Sequence, residues 1–85
     1  MINYAQLGQV SRVAYALNKG ADVDYADGLL IYTGAFFGNV KIVKLALKCK
    51  ASLGLERALE VAKNEQIVKL LKHYIEFKLP FVGKN

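Results

Sequence analysis

The sequence predicts an all-α chain: a stack of short helix–turn–helix units joined by trimmed loops. Three observations predict it. A Gly–polar–Val opening recurs after thirty residues, at Gly8-Gln9-Val10 and again at Gly38-Asn39-Val40, with Val13, Leu17 and Ala21 matched by Val43, Leu47 and Ala51. Self-similarity at a fixed period of this size is the signature of a repeat architecture. Apolar residues fall at helical spacing, with lysines opposite them. The single proline, Pro80, leaves the preceding chain free of the main helix breaker.

The elements follow in order. Residues 2–7 are a clipped first helix, and Gly8 marks its end. Residues 10–19 form the longer second helix, closed by Gly20. Glycine suits these ends because it takes the left-handed conformation cheaply. Residues 29–37 are apolar nearly all round, broken by Thr33 and Gly34, as suits a helix buried between neighbours. Ile31, Tyr32 and Thr33 also fit a strand, but the repeat decides for helix. Residues 40–47 carry Val40, Ile42, Val43, Ala46 and Leu47 on one side, with Lys41, Lys44 and Lys48 on the other. Residues 55–63 read as the next short helix, and residues 65–76 as the last long one. There Ile67-Val68-Lys69-Leu70 echoes Ile42-Val43-Lys44-Leu45 at a shortened offset of twenty-five. One domain covers 1–85: a first unit at about 1–26, a second at about 27–52, a third or capping unit at about 53–76, and an apolar tail at 77–85. Pro80 ends the last helix, and the tail is expected to fold back over the final unit or to dock on a partner or second copy.

Composition bounds the chemistry. At 85 residues and 54% hydrophobic, the chain folds as one small domain and is not of disordered type. Cys49 is the only cysteine and His73 the only histidine, so neither a disulfide nor a thiolate–imidazole metal site is expected. Cys49 reads as a partly buried small residue on a helix, and His73 as a surface residue near Lys69 and Lys72. Asp22, Asp24 and Asp27 lack the ligand spacing of a calcium loop and read as a solvated turn. No catalytic residue, cofactor or metal is expected, because no nucleophile, base and orienting group are gathered. No signal peptide or membrane span is read, and a cytoplasmic protein is expected. The net charge of +5 favours anionic partners.

Gly20-Ala21-Asp22-Val23-Asp24, with Gly38-Asn39-Val40-Lys41-Ile42-Val43-Lys44-Leu45-Ala46-Leu47 and the terminal Ala58-Leu59-Glu60-Val61-Ala62, resembles the ankyrin-repeat family over about residues 2–76. The family's Thr-Pro-Leu-His signature is missing; Leu29-Leu30-Ile31-Tyr32 stands in its place. The thirty-residue spacing is shorter than the usual ~33, which implies trimmed loops. Short units of this style are similar to those of large viruses, phages and intracellular bacteria.

The resemblance implies an α-solenoid whose short helices and loops bind a protein partner. Its contact positions fall on Asn3, Gln6 and Leu7, on Thr33, Phe36 and Phe37 with Tyr25 and Asp27 on the loop, and on Glu60, Lys63 and Asn64. Phe36 and Phe37 stand out as aromatic anchors if they are exposed; the alternative is that one or both fill core beside the next unit. Two other roles stay open. One is a small phage- or virus-type inhibitor that masks a host protein, in the host cytoplasm. The other is anion or nucleic-acid binding through Lys41, Lys44, Lys48 and Lys50 with Lys69 and Lys72, although no aromatics are interleaved with these lysines for base stacking. Self-association through an end face or the tail is a further expectation, and Tyr4 is expected to pack over Gly34.

Overall fold

A computed structural model describes residues 1–77. They form six helices: α1 (Ile2–Gln6), α2 (Val10–Asn18), α3 (Tyr25–Phe36), α4 (Val40–Lys48), α5 (Leu55–Val61) and α6 (Glu65–Phe77). No strand occurs among the described residues. The expectations for the tail fall on residues outside the described range, apart from Phe77, which ends α6 and is exposed.

The helix bounds repeat as the sequence does. The last residue of α1 and both ends of α2 recur thirty residues later in α3 and α4. The last residue of α3 and the start of α4 recur twenty-five residues later in α5 and α6. Each short helix packs against the long one that follows it. Between units, α1 packs on α3 and α3 on α5, while α2 packs on α4 and α4 on α6. The result is two layers, short helices in one and long helices in the other. The core runs between them through Val13, Leu30, Ile31, Ile42, Val43, Leu47, Ile67 and Leu71. Burying a side chain of this kind contributes about 1.5–3 kcal/mol.

Local chemistry sets the turns. Gly8 and Gly38 take φ of 72° and 69° between the paired helices, where a left-handed residue reverses the chain. Asn39 and Asn64 then cap α4 and α6: their side-chain oxygens accept from the Ile42 and Ile67 amides at 3.1 and 3.2 Å. The two caps stand twenty-five residues apart, which fixes the register of the third unit.

The loop before α3 differs from the expected open turn. Ala26, Asp27 and Gly28 are all left-handed, so the regular helix begins only after Gly28. Asp24 does more than occupy a solvated turn. Its carboxylate accepts from the Ser52 amide (2.9 Å), the Ser52 hydroxyl (2.7 Å) and the Leu53 amide (3.1 Å), which ties this loop to the next one. The two loops meet backbone to backbone. A Cβ on Gly28 would overlap the Leu53 carbonyl, and one on Gly54 would lie 2.6 Å from the Asp27 carbonyl. α6 outruns α4 by a turn and lays the buried Tyr74 beside these loops.

Tyr4 does not pack over Gly34. The atoms nearest a Cβ on Gly34 belong to Ile42 and Val43, the first at 2.9 Å. Gly34 makes room for its own unit's long helix, and Tyr4 lies outside under the Arg12 guanidinium, 5.5 Å from the ring centre. Cys49 is exposed at the end of α4 rather than partly buried in it. His73 is half-buried and its ring lies 4.8 Å from that of Phe77.

Candidate functional site

Superposing the units by these offsets separates residues that face a neighbour from residues that face water. Ile31, Ala35 and Leu47 are buried in the middle unit; twenty-five residues on, Glu56, Glu60 and Lys72 are exposed. Ile42 is buried, as is Ile67, but Arg12 in the first unit is exposed. Charge therefore replaces apolar surface at both ends of the stack. At the first end the tyrosines are also overlaid, Tyr4 by Arg12 and Tyr15 by Lys19, each cation 5.5 Å from the ring centre. Such contacts contribute about 0.5–1 kcal/mol at exposed sites.

One large apolar feature keeps no such cover. Phe36 and Phe37 end α3 and are 59% and 58% exposed, as expected for aromatic anchors. Their rings meet edge to face at 5.1 Å, and Tyr32 stacks on Phe36 at 6.1 Å. Arg57 lies 5.4 Å over the Tyr32 ring. Position by position, Leu7, Phe37 and Ala62 recur at the same turn, and so do Gln6, Phe36 and Val61. Leu7 is 71% exposed, and Val61 and Ala62 are half-buried. An apolar strip thus crosses the three turns and is widest at the phenylalanine pair.

The other expected contact residues divide. Asn3, Gln6, Asp27, Glu60 and Lys63 are exposed. Tyr25 is exposed too, and with Asn3, Met1 and Ile2 it lines a depression at the first end of the stack. Thr33 is not a surface residue. It is 3% exposed, because α3 has a neighbour on each side and its Thr33 face is covered, whereas Asn3, thirty residues earlier, has none. Asn64 is half-buried and its side-chain oxygen is committed to capping α6.

Residue-by-residue reading missed Tyr32, Arg57, Val61 and Ala62. The signal for them is the offset of twenty-five, which puts Arg57 in the place of Tyr32 and Val61 in that of Phe36. Lys41, Lys44, Lys48, Lys69 and Lys72 are exposed on α4 and α6, in the other layer, and Lys50 is exposed in the loop after α4.

The titratable groups with displaced pKa sit at the loops. Burial pushes the Asp24 carboxyl up, but the Ser52 and Leu53 hydrogen bonds outweigh it and hold the group below its ordinary 3.8. Burial, and then the Asp24 charge, pushes the Tyr74 hydroxyl above the usual phenol value. Asp24 is tied into the contact between loops, and Tyr74 lines a depression with Ser52, Leu53 and Glu56. Among the described residues, no three His, Cys, Asp or Glu side chains gather as a metal-binding group. No helix among them is long and apolar enough to cross a membrane. Compared with known proteins, the chain matches no family model, no curated protein and no solved structure.

Proposed function

We propose that this chain is a non-catalytic protein-interaction module, a short ankyrin-like stack that holds its partner on the strip crossing its turns. The observation that carries the reading is the contiguous cluster of Tyr32, Phe36 and Phe37, two of whose rings are more than half exposed. Exposed aromatics cost solubility, and clusters of them are what interface cores use. The charge at both ends supports the reading. It marks where stacking stops. The repeat geometry supports the ankyrin-like assignment: paired helices, a left-handed glycine between the members of the first two pairs, and units added in one direction.

The test uses a Phe36→Ser/Phe37→Ser chain. Its melting temperature should match or exceed the parent's, since neither ring is buried. An affinity capture from the cells that carry the gene should lose the parent's specific partner. A variant that keeps the partner overturns the proposal; one that no longer folds reassigns both rings to the core.

A further inference from the structure

The charges around the strip, taken with its aromatic geometry, narrow the kind of partner it fits. The Arg57 guanidinium carbon lies 5.4 Å from the centre of the Tyr32 ring. Among the described residues Arg57 has no carboxylate partner. An exposed guanidinium without a carboxylate beside it can take one from a ligand through two parallel hydrogen bonds. Two more exposed cations flank the turns. Lys41 lies in the first turn of α4, just past the Gly38–Asn39 turn that follows Phe37, and Lys63 directly follows Ala62. The acids Asp22, Asp24 and Asp27 lie before or in the first turn of α3, at the far end of that helix from the phenylalanines, and the exposed Glu56 and Glu60 of α5 stand in the places of the stacking residues Ile31 and Ala35.

We propose that the strip binds a short acidic–apolar peptide segment of a partner protein, with apolar side chains seated on Phe36, Phe37 and Leu7 and a carboxylate held by Arg57. This rests on the interaction-module reading above and specifies its ligand. A single-stranded nucleic acid would also use aromatics and cations, but it needs open ring faces for its bases. Here Tyr32 is held between Phe36 and Arg57, so only Phe36 and Phe37 keep open ring surface. The continuation of the strip through Leu7, Val61 and Ala62 is aliphatic and offers nothing for a base to stack on.

The experiment pans a displayed library of random dodecapeptides on the full-length chain, on Phe36→Ser/Phe37→Ser and on Arg57→Glu. Selected peptides are then measured by fluorescence anisotropy, beside a single-stranded oligonucleotide probe. The expected result is a motif of Leu or Phe next to Asp or Glu. Its affinity should fall about tenfold or more in Arg57→Glu, the scale of losing a bidentate charge pair. It should be partly kept in Arg57→Lys and vanish in the phenylalanine variant. Apolar peptides without acids, bound equally by Arg57→Glu, overturn the acidic partner and leave the strip as an interaction surface. Peptides bound equally by the phenylalanine variant overturn the strip itself. Oligonucleotide binding that needs Phe36 and Phe37 overturns both in favour of nucleic acid. Circular dichroism melts on every variant show that each comparison is between folded chains.

Discussion

Asp24→Ala removes one acceptor group that serves three donors on the neighbouring loop: the Ser52 amide, the Ser52 hydroxyl and the Leu53 amide. Asp24 is half-buried and its bonds reach solvent, so each contributes about 0.5–1.5 kcal/mol rather than the larger value of a buried charged pair. The donors can turn to water when the carboxylate is gone, which avoids a desolvation penalty. The three act on one loop and are not additive, so the expected loss is about 2–3 kcal/mol. For a domain of this size that lowers the melting temperature by roughly 10–20 °C. Urea unfolding followed by circular dichroism reads it, with an unchanged slope. A double-mutant cycle with Ser52→Ala should return a coupling of about 0.5–1.5 kcal/mol.

Acid gives an independent check. The folded carboxyl titrates below its ordinary 3.8, so its contribution is complete above that value and is lost as pH falls through the folded pKa. The gap between parent and Asp24→Ala should therefore be full at pH 7 and close below about pH 4. A gap under about 0.5 kcal/mol at neutral pH, the range of ordinary surface substitutions, refutes the tie between the loops. A gap that persists unchanged in acid refutes the role given to the charge.

Lys50 holds a φ of 67° where the preceding unit has Gly20. Left-handed backbone costs a side-chain-bearing residue about 1–2 kcal/mol, offset in part by the freedom glycine has when unfolded. Lys50→Gly is thus expected to stabilise by about 0.5–1 kcal/mol in the same urea assay, and a loss would show that the lysine side chain contributes more than its backbone costs. Gly28→Ala drives a methyl into the Leu53 carbonyl at a φ of 88°. Backbone cannot yield as a side-chain tip does, so a loss of at least about 3 kcal/mol is expected, and a near-neutral variant would mean that the two loops do not meet. Tyr74 has a raised pKa, so the folded state favours its neutral form. Its contribution is present below the ordinary value of 10.0 and is lost as pH rises through the folded value, so Tyr74→Phe should hold its stability better than the parent above about pH 10.

The helices were legible in the sequence because their signals are local. Periodic apolar residues, a glycine between paired helices and the repeated Gly–polar–Val place α1 to α6 to within a residue or two, except at the start of α3. That exception has a physical reason: Ala26 and Asp27 are left-handed without being glycine, and nothing in their side chains announces it. The turn positions of Phe36 and Phe37 were legible, but whether the rings face water or fill core was left to the packing of the next unit, where Val61 and Ala62 are too small to cover them. The burial of Thr33 did not, because it depends on α3 being covered from both sides, a property of position in the stack. The role of Asp24 was equally invisible, since its partners lie twenty-eight and twenty-nine residues away. The strip as a whole needed the register of the third unit, and the Asn39 and Asn64 caps fix that more firmly than the apolar echo alone.

The charged outer faces of the first and third units have a consequence for how such a chain can change length. Only the middle unit, about residues 27–52, is apolar on both flanks, so it alone can be copied in tandem without burying an unpaired charge. A gene duplication confined to that segment would slot a second copy between the existing ends and lengthen the ridge of phenylalanines by one pair. Copying either terminal segment would instead force Arg12, or Glu56 and Glu60, into a dry seam. The reach of this molecule is therefore adjustable from its centre and fixed at its margins.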